Sequence, residues 1–152
     1  MLSTYPVVSL RSAAPGTFVL GFRAPEIAAG VRPAQFVNVK VNALPVPLLR
    51  RPFSVYRVDG AVVEILFNVV GTGTDILARA RVGDALDVLG PLGHAYGLDD
   101  DYDTALLVGG GLGVAPMPIT TIALERLGKH IRTYLGARSA PLLVTDHLVG
   151  VE

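Results

Sequence analysis

The chain has 152 residues, is 51% hydrophobic and carries 13 basic against 13 acidic side chains, enough for one full domain, or one small domain with part of another. The balanced charge advertises neither a nucleic-acid nor an acidic-membrane partner, and no apolar run approaches the roughly 18–20 residues that span a bilayer. The lack of any cysteine excludes disulfides, thiolate metal sites and cysteine nucleophiles.

The N-terminus, MLSTYPVVSLRS, lacks the basic start and long apolar run of a signal peptide, so a cytoplasmic location is expected. Up to about residue 97 the sequence reads as short strands punctuated by Pro and Gly: TYPVVSLR, GTFVLGFRA, QFVNVKVN, RPFSVYRV, AVVEILFNVV and DALDVLGPL. Phe18, Leu20 and Phe22 share one strand face, and Val37, Val39 and Val41 alternate with Asn38, Lys40 and Asn42. In the fourth segment Phe53, Val55 and Arg57 fall on one face and Ser54, Tyr56 and Val58 on the other. Asp59-Gly60 marks a hairpin between the fourth and fifth strands. Strands at this spacing predict a small closed or nearly closed antiparallel barrel. One helix interrupts it at GTDILARAR, capped by Thr72 or Thr74, with Ile76, Leu77 and Ala80 at helical spacing.

Two arginines and a proline, Arg50, Arg51 and Pro52, open the fourth strand, an odd choice for stability in a central strand. A guanidinium binds phosphate bidentately and keeps its charge at any plausible pH. Phe53 can flank a flat ring, and Ser54 can offer hydroxyl and backbone donors. An edge strand blunted by charge and proline would use the same residues. One hairpin later, Gly71-Thr72-Gly73-Thr74 leads into the predicted helix. Its glycines permit close approach and the helix start offers N–H groups to an anion, although a tight turn before a capped helix reads identically. Together the two segments fit a pyrophosphate held between them.

From Asp99 the pattern changes. LDDDYD is an acidic, solvated linker, and TALLVGG is an unbroken apolar run, as in a strand buried on both faces. GGGLGVAPM, a helix through about PITTIALERLG with Pro116 and Pro118 in its first turn, and the strand HIRTYLGAR complete one βαβ unit. Gly109, Gly110, Gly111 and Gly113 lie where a dinucleotide turn would, without the strict GxGxxG spacing. Only two parallel strands are evident, with an ambiguous APLLVTDHL behind them, so this half reads as unfinished. The boundary falls between 1–98 and 99–152. His94, His130 and His147 have no ligand spacing; no metal site is expected, and His94 reads as a loop residue near the junction.

The order RPFS, GTGT, LGPLG (residues 89–93) and LLVGGGLGVAPM resembles the ferredoxin–NADP reductase superfamily, and within it the electron-transfer subunits of two-subunit dihydroorotate dehydrogenases. The resemblance covers the whole chain. It implies a six-stranded antiparallel Greek-key FAD-binding barrel followed by an incomplete Rossmann-like nucleotide-binding domain. On it, Arg51 matches the flavin-phosphate arginine, beside Pro52; Phe53 falls against the flavin and Ser54 near its reactive edge at N5. Gly71, Gly73 and Thr74 match the second pyrophosphate segment, and Gly110, Gly111 and Gly113 the NAD turn. Family subunits continue further and bind a [2Fe-2S] cluster through four cysteines, which this chain lacks, so a fragment of a longer protein is expected.

The implied activity is FAD-dependent electron transfer between NAD(H) and a partner oxidoreductase, a catalytic dihydroorotate dehydrogenase subunit of pyrimidine biosynthesis. A stand-alone flavin or ferredoxin reductase, or a non-catalytic FAD-binding module, shares the same motifs. NAD versus NADP stays open, because Arg138 and Ser139 could read a 2′-phosphate or simply start a helix. The incomplete second half is expected to self-associate.

Overall fold

The structure is a computed structural model that describes residues 1–42 and 47–151. Strands β1 (Leu2–Ala14), β2 (Thr17–Arg23), β3 (Phe36–Lys40), β4 (Arg51–Asp59), β5 (Val62–Asn68) and β6 (Ala85–Leu92) close into an antiparallel barrel in the order β1-β2-β5-β4-β3-β6. The β2–β5 and β3–β6 neighbours give it Greek-key connectivity. Inward residues of every strand build one core, including Val7, Phe22, Val39, Phe53, Ile65 and Val88. Each such buried side chain contributes about 1.5–3 kcal/mol. Gly60, at φ +56°, makes the expected hairpin turn between β4 and β5.

The β4 alternation breaks where the sequence alone gives no warning. Val55 pairs with Ile65 but Arg57 pairs with Glu64, so Tyr56 is one residue too many on its strand: a β-bulge. Val55 stays in the core, Tyr56 and Arg57 both turn outward, and Val58 returns to the barrel core opposite Val63. Arg57 therefore leaves the face of Phe53 and Val55 on which simple alternation put it. It lies 3.6 Å from Glu64 and 2.5 Å from Asp59.

Two short helices seal the barrel. Helix α1 (Pro25–Gly30) buries Ile27 completely and has Pro and Glu in its first turn; six residues are too few to show a period, and the sequence reading passed over it. Helix α2 (Thr72–Leu77) is shorter than GTDILARAR suggested, with Leu77 buried as its last residue. Neither threonine is its N-cap, a position Gly71 occupies.

Beyond the barrel, β7 (Thr104–Gly110) and β8 (His130–Gly136) pair in parallel around a 3-10 turn (Gly111–Val114) and helix α3 (Met117–Arg126). This is the expected βαβ unit, and Val151 adds an isolated parallel bridge to Thr133. The linker is held at its far end, where the Lys129 amino group donates to the Asp100 carbonyl at 3.0 Å and sits 4.2 Å over the Tyr102 ring. Strand β7 is not buried on both faces: Leu106 is 63% and Val108 72% exposed. A single crossover helix covers only the face to which it returns, and among the described residues nothing covers the other. A second apolar cluster joins the two parts, with Ala14, Val19, Tyr56 and Leu66 of the barrel against Val114, Ala115, Met117 and Val144.

Candidate functional site

The two arginines that open β4 have different fates. Arg50 turns to β6, where it pairs with the Asp87 carboxylate at 2.7 Å and donates to the Asp87 carbonyl at 3.0 Å. Its charge is satisfied within the barrel. Arg51 makes no ion pair among the described residues and donates only to the nearby Leu49 carbonyl. Its side chain lies across Gly73 so closely that a Cβ there would collide with the guanidinium stem. RPFS and GTGT, separate in sequence, are thus in contact in space.

The other residues of the two segments are placed as follows. Phe53 faces inward, opposite Val37, with its ring edge-on to Phe67 at 5.8 Å. Strand alternation sends its side chain into the barrel core, where it is 8% exposed. Pro52 is exposed and Ser54 half-buried, opposite Phe36. Thr74 is buried, and its hydroxyl accepts from the Val70 and Gly71 N–H groups at 2.9 and 3.2 Å while donating to the Gly71 carbonyl. That side chain is spent on holding the turn. Gly71 and Gly73 stay bare backbone at the start of α2.

Next to this contact runs a cavity of ≈ 670 Å³ between the barrel and the parallel unit. On the barrel side it is lined by the β1–β2 turn around Gly16 and by Asn68, Val69 and Val70, which run directly into Gly71. On the other side lie Gly110, Gly111, Gly136 and Arg138, at the carboxyl ends of β7 and β8. Open parallel sheets bind ligands outside those strand ends. Arg138 is exposed and makes no ion pair among the described residues. Gly113 instead borders a smaller cavity with Pro116 and Met117, so the glycine turn divides between two hollows. Sequence reading missed the barrel wall of the cleft; Pro15-Gly16 was its one signal, a turn dipeptide with φ +68° at Gly16. Thr17 fixes that wall by donating to Asn68 at 2.8 Å.

No family model matches the chain. It is 36% identical over 142 residues to the electron transfer subunit of dihydroorotate dehydrogenase B (NAD(+)) from Desulforamulus reducens, covering 92% of this chain and 54% of that protein. With the corresponding subunit from Geobacillus thermodenitrificans it shares 40% over 134 residues, 86% and 52% of the two chains. Among solved structures, an NADH-dependent reduced ferredoxin–NADP oxidoreductase studied for flavin-based electron bifurcation superposes with a TM-score of 0.86 at 30% identity, covering 97% of this chain and 53% of that one. An Amycolatopsis cytochrome P450 reductase gives 0.75 at 26% identity, covering 95% and 46%. The chain spans about half the length of the curated relatives it matches. Over that span it is a homologue of the electron-transfer subunits of dihydroorotate dehydrogenase B, built on the fold of the ferredoxin–NADP reductase superfamily.

Proposed function

We propose that the chain binds FAD on its barrel and NAD(H) in the adjoining cleft, and relays electrons to a catalytic dihydroorotate dehydrogenase subunit of pyrimidine biosynthesis. The carrying observation is Arg51, without an ion-pair partner among the described residues, laid over Gly73. A cation without a carboxylate partner, beside backbone stripped of side chains, suits a pyrophosphate. In this reading Arg51 takes phosphate oxygens, and the Gly71 and Gly73 backbone approaches the same group while Thr74 holds the turn. Pro52 and Ser54 border the ring system, with Ser54 near flavin N5, and Phe53 supports them from the core. Gly110, Gly111 and Gly113 give the nicotinamide nucleotide its backbone approach.

FAD held by Arg51, Gly71 and Gly73 would supply hydride and single-electron redox chemistry. The chain's own part is to orient and to exclude water, which the apolar walls Leu66, Val114 and Val144 of the cleft do. A hydride step needs no protein acid or base, so no side chain must move a proton. The residues do not fit a [2Fe-2S] cluster, since no cysteine is present to ligate it. The functional boundary is placed at 98/99, between the end of β6 and the start of β7, and the protein in the cytoplasm.

Reconstitution tests this reading. Purified protein incubated with FAD or FMN should retain FAD near one equivalent and release FMN on gel filtration. Equal retention of both would remove the pyrophosphate assignment.

A further inference from the structure

The chain between β8 and Val151 does not simply cross the surface. It folds back on the barrel, and Asp146 makes two of its polar contacts there. The Tyr56 hydroxyl donates to the Asp146 carbonyl at 2.9 Å, and Arg11 of β1 pairs with the Asp146 carboxylate at 2.9 Å. The neighbouring His147 ring stands edge-on to Tyr56, 6.3 Å between centroids, with Nε2 3.5 Å from Arg57. Tyr56 keeps the outward face that alternation gives it, and the β4 bulge beside it turns Arg57 to the same face. Tyr56 is fully buried, although its polar tip needs a partner.

That fastening is continuous with the cleft. Val144, two positions before Asp146, is buried in the apolar cluster shared by barrel and parallel unit, and it also lines the cleft with Leu66 and Val114. Leu142 and Arg138 of the same segment form the opposite wall. Whatever holds Asp146 therefore holds one side of the cleft against the other. The other terminal nitrogen of Arg11 is buried without a hydrogen-bond partner among the described residues.

We infer that Tyr56, Arg11 and Asp146 form a clasp that sets the angle between barrel and parallel unit, and so the width of the cleft in which the dinucleotide lies. These are positioning residues for the ligand, whose identity rests on the function proposed above; the clasp itself rests on the contacts alone. The cysteine-free sequence permits a clean distance measurement between spin labels at Ala29→Cys on α1 and Glu125→Cys on α3, both exposed.

Tyr56→Phe and Arg11→Gln should each broaden that distance distribution. Each should also raise the NADH concentration for half-saturation, read by NADH fluorescence, about three- to tenfold. FAD content should stay at the unmutated level, because neither residue touches Arg51 or Gly73. Arg11 is a partly exposed surface residue, so its variant decides the matter if Tyr56→Phe folds poorly. An unchanged distance distribution, or broadening with unchanged NADH affinity, overturns the clasp. Failure of the unmutated protein to hold FAD would count against the proposed function alone, since both readouts here are independent of flavin.

Discussion

At the residue scale, the double arginine of β4 resolves into one structural and one available cation. Arg50 is neutralised by Asp87, whereas Arg51 rests on Gly73 without an acid partner among the described residues. Arg51→Ala should weaken FAD binding about ten- to a hundredfold, the worth of a charge-assisted phosphate contact of about 1.5–3 kcal/mol. Arg51→Lys should recover part, lacking the planar fork, and Arg57→Ala should change little. Gly73→Ala separates binding from folding. Alanine favours the helix, so the thermal midpoint should hold or rise, while the new methyl displaces the guanidinium and FAD affinity falls as in Arg51→Ala; flavin fluorescence titration reads both variants. Tyr56 makes a prediction of its own. Burial above all, with Asp146 and Glu64 adding to it and Arg11 opposing, pushes its phenol up from the ordinary 10.0. The folded state thus prefers the neutral phenol, so its contribution to stability is intact below pH 10.0 and is lost as the pH rises through the higher folded value. Urea midpoints across that range should fall less steeply in Tyr56→Phe, with Tyr5, which burial also raises, contributing to the slope that remains.

At the scale of elements, what was legible in the sequence was what period and turn chemistry encode. Val37, Val39 and Val41 are buried as their alternation required, the Asp59-Gly60 hairpin formed, and strand, glycine turn, helix and strand followed in order from Thr104. What stayed hidden is set by tertiary contact. No local signal marks Tyr56 as an extra residue, because a bulge is defined by the partner strand's register. The inward position of Phe53 was itself legible from its alternation with Val55. The contact of Arg51 with Gly73 needs the β4–β5 hairpin and the turn into α2 to form first. That turn depends on one hydroxyl. Thr74→Val keeps the shape but strands the N–H groups of Val70 and Gly71, at a cost of about 1–2 kcal/mol. Denaturant unfolding should show that loss, with Thr74→Ser restoring most of it.

At the scale of the whole molecule, the barrel closes on itself and leaves no edge, whereas the parallel unit does not. Among the described residues β7 pairs with β8 alone, and its sequence TALLVGG carries none of the charges or prolines that blunt an edge. It also exposes Leu106 and Val108 on one face, beside a cavity of ≈ 450 Å³ lined by Tyr96, Leu98 and Tyr102. Paired antiparallel with a second copy about Leu107, the strand would set Leu106 against Val108 and Ala105 against Gly109 in both directions. The self-association expected of this chain is proposed to use this edge, with a second copy as its occupant. Sedimentation equilibrium should give a mass that rises from monomer toward dimer with concentration. Val108→Lys places a desolvated charge in the seam and should return the protein to monomer without altering FAD retention on reconstitution, since β7 lies outside the Arg51–Gly73 contact. A monomer at every concentration, or a dimer indifferent to Val108→Lys, would show that this edge recruits no second copy.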